Sequence, residues 1–164
     1  MPFLSEADQD QLRTIFAEQL DRTVRLRLLT RPQSKLYIPG QQRCASCAEA
    51  EPFVRELATL SDKLQVVVHN ATDEPEAARL YSAQGLLPVI QLEPVAADDP
   101  PAEVETRSAG AIRFVGLPAG YEFSTLVADI VDISTGHTDL SAAAQTELRS
   151  LDQDLHLQVF VTPT

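Results

Sequence analysis

The spacing of hydrophobic positions changes several times along the chain, and each change marks an element. Leu12, Ile15, Phe16 and Leu20 recur at helical intervals behind Ser5, an N-cap residue with Asp8 three positions on, which predicts a helix over residues 6–20. From 23 to 30 the period shortens to two and branched side chains dominate, predicting a strand with Val24, Leu26 and Leu28 on one face. A loop carrying Pro32, Pro39 and Gly40 follows. A second helical pattern begins near Cys44 and runs through Phe53, Val54, Leu57 and Leu60, after which Leu64 to Val68 reads as a buried strand.

Asp73 and Pro75 open a further helix whose core face is Ala78, Leu80 and Tyr81 or near neighbours, with Gly85 closing it. Pro88 precedes the apolar run Val89 to Leu92, and Ala111 to Val115 is its expected antiparallel partner across an acidic, proline-rich loop at 93–109. Residues 116–120 read as a turn. Residues 122–135 read as a helix with Phe123, Leu126, Val127, Ile130 and Val131 inward, 141–151 as a polar helix and 155–161 as a closing strand. Two β-α-β elements with a hairpin and a closing helix predict an α/β domain. Its mixed central sheet has about four strands, helices cover both faces, and an extra helix precedes it.

Length and charge narrow the function. At 164 residues one core is expected. Thirteen Lys and Arg against 24 Asp and Glu give a net charge of −11, which repels nucleic acid and anionic membrane surfaces. No apolar run approaches the ~20 residues of a membrane span. The start, Met1 to Asp8, lacks the basic-then-apolar pattern of an export signal, so the cytoplasm is the expected compartment.

The chemistry concentrates at Cys44-Ala-Ser-Cys47, the only two cysteines. They stand where a loop turns into a helix, and a helix N-terminus favours a thiolate. Arg43 adds to that effect, whereas Glu49 and Glu51 oppose it. One helical turn brings the two sulfurs together, so Cys44 can attack a disulfide and Cys47 can resolve the mixed disulfide. A structural zinc site needs about four ligands, and His69, His137, His156 and the carboxylates show no paired spacing; a vestigial pair is the other alternative. His69 and His137 read as capping or surface residues, Tyr37 as a loop aromatic near the groove, and Asp98 and Asp99 as a solvated loop. Pro52 should kink its helix. Pro88 could hold a cis bond after Leu87, leaving the residue 87 backbone to pair with a substrate peptide, although most such bonds are trans.

Taken together, the strand, the C-x-x-C at a helix start, Pro52 and Pro88 resemble the thioredoxin and glutaredoxin pattern. More specifically, Phe114 to Phe123, Asp129 to Ser134, Asp152 to Asp154 and Val159 to Thr164 resemble the N-terminal unit of the protein disulfide oxidoreductases, glutaredoxin-like proteins built of two tandem thioredoxin folds. The resemblance implies a thioredoxin-like domain over residues 1–152. It makes 153–164 the first strand of an absent second unit. It assigns Cys44 as attacking cysteine, Cys47 as resolving cysteine, and Leu87 with Pro88 as the substrate-pairing turn. It implies exchange with disulfide-containing protein substrates, no bound cofactor or metal, and for some members electrons from a thioredoxin-reductase-like flavoenzyme. The loops 31–43 and 93–109 are longer than the family pattern. The apolar segment 155–161 is expected to dock on this sheet or to pair between two chains as a homodimer. The alternative function is a redox-silent thioredoxin-like scaffold, as in the related N-terminal region of peroxide-reductase flavoproteins.

Overall fold

Seven consecutive buried residues form β1 (Val24–Thr30), the strand on which the sheet is built. This chain is described by a computed structural model covering residues 2–32, 44–81, 85–95, 112–153 and 155–160. β1 pairs in parallel with β2 (Leu64–Asn70), Val24 opposite Leu64 through Thr30 opposite Asn70. On its other side it pairs antiparallel with β3 (Val89–Pro94), which pairs antiparallel with β4 (Ile112–Val115). The order is therefore β2-β1-β3-β4, and the mixed sheet of four strands is the one the sequence pattern predicts.

One face carries the apolar core. Val24, Leu26 and Leu28 of β1 and Ile90 and Leu92 of β3 meet helices α1 (Glu6–Gln19), α2 (Cys47–Ala58) and α4 (Tyr121–Thr135) there. Each helix brings a stripe at helical spacing: Leu12 and Phe16 from α1, Ala50, Phe53, Val54 and Leu57 from α2, Leu126 and Ile130 from α4. Full burial of each large side chain is worth roughly 1.5–3 kcal/mol, so this side dominates the stability. The Ser5 hydroxyl caps α1 at the Asp8 N–H. Glu56 of α2 then accepts from the Phe3 and Leu4 amides at 2.8 and 3.0 Å, which fixes the first helix against the second.

The opposite face is covered by the short helix α3 (Pro75–Tyr81), and its apolar cluster is small: Leu29, Ala77, Tyr81 and Val89. Within α3 the inward residues are Tyr81 and Ala77, a neighbour of the expected Ala78, while Ala78 and Leu80 are half-buried. The rest of this face is polar. Arg27 donates to Glu93 at 3.0 Å with both side chains sealed from solvent, and Arg25 approaches the same carboxylate at 3.7 Å. Gln91 donates to Glu93 at 2.6 Å and accepts from Arg113 at 2.6 Å. On the other flank Arg27 donates to His69 Nε2 at 2.8 Å. A guanidinium only donates, so the ring hydrogen of His69 sits on Nδ1, facing Glu74 at 2.6 Å.

Several expectations are corrected here. α2 starts at Cys47 rather than near Cys44 and continues through Pro52, whose missing N–H leaves only the exposed carbonyl of Ala48 without a helical partner. Glu93 belongs to β3 and is buried, not part of a solvated loop. β2 is an edge strand with Val66, Val67 and Val68 half-buried, and His69 is buried rather than a surface residue. Residues 155–160 form no strand and no pairing with the sheet; Leu157, Val159 and Phe160 are all more than four-fifths exposed. α5 (Ala142–Arg149) buries none of its residues, so nothing on this side draws the segment down. Tyr37, Asp98, Asp99 and Arg43 lie outside the described residues, as do most of the loops 31–43 and 93–109.

Candidate redox site

β1 ends at Thr30, and its hydroxyl donates to the carbonyl of Cys47 at 3.2 Å. That bond links the end of the central strand directly to the first residue of α2. The helix carrying the second cysteine is thereby seated on the sheet. Cys47 is 3% exposed, held by the same stripe as Ala50 and Phe53. Cys44, three residues ahead of the helix, is half-buried and open to solvent on one side.

The two cysteines are bonded to each other, with an S–S distance of 2.02 Å and Cα atoms 5.4 Å apart. The Cys44 sulfur is thereby held at the N-terminal end of α2, where the first amides lack helical acceptors. Glu49 is the acidic residue of that first turn. The unequal exposure of the two sulfurs suits unequal roles, an outer one that meets a partner thiol and an inner one that exchanges only with its neighbour. Among the described residues, no three His, Cys, Asp or Glu side chains gather as a metal-binding group.

Leu87 and Pro88 stand at the same end of the sheet. The Leu87–Pro88 peptide bond is cis. Pro88 immediately precedes Val89, which is opposite Leu29, so the turn lies level with Thr30 and hence with the start of α2. The Pro88 carbonyl accepts from Gly116 N–H at 2.8 Å, a bond that anchors the turn to the end of β4. Gly116 has a φ of +101°, a conformation open to glycine and strained for other residues. Leu87 packs on the small apolar cluster beneath α3.

With this geometry in view, the chain can be set beside known structures. It is similar to the NTD_N/C domain of alkylhydroperoxide reductase AhpF from Enterococcus faecalis, with a TM-score of 0.67 and 23% identity over 92% of this chain and 62% of that one. It is also similar to a protein disulfide oxidoreductase from Aeropyrum pernix, with a TM-score of 0.67 and 18% identity over 92% of this chain and 56% of that one. The fold is thioredoxin-like. This chain thus spans about three-fifths of the length of the solved structures it matches. No protein-family model matches the chain, and no curated protein matches it.

Of the residues singled out in the sequence, Cys44 and Cys47 are bonded to each other and Leu87–Pro88 is cis. Sequence reasoning missed Thr30, whose only signal was a hydroxyl at the last position of an apolar strand. It also missed the polar layer behind the sheet. Arg25 and Arg27 alternate with Val24, Leu26 and Leu28, a pattern that ordinarily places charge in water, whereas here Arg25 is 4% and Arg27 1% exposed. No described helix is long and apolar enough to cross a membrane.

Proposed function

We propose that this domain is a thiol–disulfide oxidoreductase acting on protein substrates through Cys44 and Cys47. The observation that carries the reading is the Cys44–Cys47 disulfide at the start of α2, with one sulfur reachable and the other buried.

In the reducing direction, the Cys44 thiolate attacks a substrate disulfide, forming a Cys44–substrate bond and releasing one substrate thiolate. Cys47, after losing its proton, attacks the Cys44 sulfur; the intramolecular disulfide forms and the second substrate thiol departs. The substrate gains two electrons and two protons, and the domain ends oxidised. The reverse sequence oxidises a substrate dithiol. Backbone groups of Leu87, beside Pro88, pair with the substrate chain in strand-like fashion and hold its disulfide in reach. No bound cofactor takes part; a thioredoxin-reductase-like flavoenzyme is the proposed electron source, and the cytoplasm the proposed setting.

The region 153–164 is read as the first strand of a further thioredoxin-like unit or of a pairing with a second copy of the chain. The exposed alternation of Leu155, Leu157 and Val159 supports that reading.

Insulin reduction driven by dithiothreitol tests the activity. Wild-type protein is expected to accelerate it, and Cys44→Ser to lose the acceleration. Equal rates for the two proteins assign the domain a redox-silent scaffold role instead.

A further inference from the structure

α3 is seven residues long and buries only two side chains, far short of what holds an isolated helix together. Its position is therefore set by its ends. At the N-terminal end, Glu74 accepts from the Asn70 amide at 2.9 Å and from His69 at 2.6 Å. At the C-terminal end, Arg113 of β4 reaches across and donates Nη2 to the carbonyl of Leu80 at 3.2 Å, while its Nε is fixed by Gln91. A cation beside the last carbonyls of a helix interacts favourably with the helix dipole, and the Arg113 guanidinium sits there.

The next residue, Tyr81, stacks on His69 with ring centroids 5.4 Å apart and lies under the Arg27 guanidinium at 4.7 Å. Tyr81 belongs to the cluster on which Leu87 packs. A chain of contacts thus runs from Arg113 through the end of α3 and Tyr81 to the turn proposed to pair with substrate.

We infer that Arg113 is a positioning residue for recognition of extended polypeptide disulfides: by capping α3 it sets the Leu87–Pro88 turn against which a substrate strand pairs. The inference rests on the thiol–disulfide reading of Cys44 and Cys47. Arg113 touches neither sulfur, so a small disulfide that needs no strand pairing is indifferent to it. Specificity for peptide over small-molecule disulfides is accordingly written into a residue on the far face of the sheet.

The test compares wild type, Arg113→Met and Arg113→Lys, each reduced and then freed of dithiothreitol, in single-turnover reactions over a range of concentrations of a disulfide-bonded extended peptide and of dithiobis-nitrobenzoate. Arg113→Met keeps the apolar stem and removes both donations from an exposed side chain. The half-saturating peptide concentration is expected to rise about fivefold with the limiting rate unchanged, the scale of one lost hydrogen bond. The rate with dithiobis-nitrobenzoate stays at the wild-type value, and Arg113→Lys, which keeps a cation near the Leu80 carbonyl, recovers most of the peptide half-saturation. An unchanged half-saturating peptide concentration in Arg113→Met overturns the inference while leaving the dithiol reading intact. A wild-type protein that reacts with neither substrate overturns the dithiol reading, and the inference with it.

Discussion

Arg27 and Glu93 meet at 3.0 Å across the two central strands, with neither side chain more than 1% exposed. Removing one partner strands the other in a medium where an unpaired charge is expensive, about 3–5 kcal/mol by precedent. Glu93→Leu is therefore expected to lose stability on that scale in urea titration. The double variant Arg27→Met, Glu93→Leu recovers part of the loss, because the Arg27 charge is gone while Arg25, 3.7 Å from the same carboxylate, stays. Strictly additive losses would show that the pair is not coupled.

Arg25 shares that carboxylate on poorer terms. It stands at 3.7 Å, and its Nε has no acceptor among the described residues, whereas Arg27 is engaged by Glu93, His69 and the Tyr81 ring. Arg25→Met should thus destabilise by less than half as much as Arg27→Met in the same titration. Equal effects would mean that distance and partner count do not decide the energetics of this layer.

Thr30 and Cys47 give a test of how the dithiol helix is seated. Thr30→Val preserves shape but removes the donor to the Cys47 carbonyl, an expected loss of about 1 kcal/mol. Thr30→Ser keeps the hydroxyl and should restore more than half of it. Thermal unfolding with the disulfide intact measures both; a Thr30→Val protein as stable as wild type removes the seating role.

Two carboxylates set opposite pH dependences. The hydrogen bond from His69, followed in effect by that from the Asn70 amide, holds the Glu74 carboxyl below its ordinary value of 4.5 despite partial burial. Its contribution is present above the unfolded value and disappears as pH falls through the lower folded one. Glu74→Gln should accordingly unfold more easily than wild type at pH 7, with the gap closing as pH drops below 4.5. A gap that is constant with pH would contradict the assignment.

Asp129 on α4 behaves in the other sense. Burial, with the nearby Asp132 charge, raises its carboxyl above 3.8, so its ionised form weakens the fold at neutral pH. Asp129→Asn is expected to raise Tm at pH 7 by about 1–2 °C, the scale of a half-buried substitution in a domain this size, and to leave it unchanged once pH falls below 3.8. A lower Tm for the variant at pH 7 would reverse the sign.

Much of this architecture is legible in the residue pattern, and particular residues show why. The stripes Leu12-Phe16 and Phe53-Leu57 and the alternation Val24-Leu26-Leu28 are set by burial on one face, which periodicity reads directly. The Cys44–Cys47 bond and the cis bond before Pro88 are legible as possibilities because other residue types rarely form either. Arg27, Glu93 and His69 are not, since a charge buried by pairing looks the same in sequence as a charge in water until the register of β1 against β3 is known. The segment expected as a strand at 155–161 is unpaired over its described residues for a related reason: its alternation states a need for a partner edge, and the described sheet runs only from β2 to β4.

If Cys44 exchanges with an outside disulfide and Cys47 then releases it, removing Cys47 traps the intermediate. Trapping tests this most directly: reduced Cys47→Ser protein is mixed with a disulfide-bonded peptide, and the products are read by mass spectrometry without reductant. A stable one-to-one mixed disulfide on Cys44 is expected in Cys47→Ser, and none that persists in wild type. Absence of any adduct on Cys44, with the protein folded and its thiol free, would contradict it.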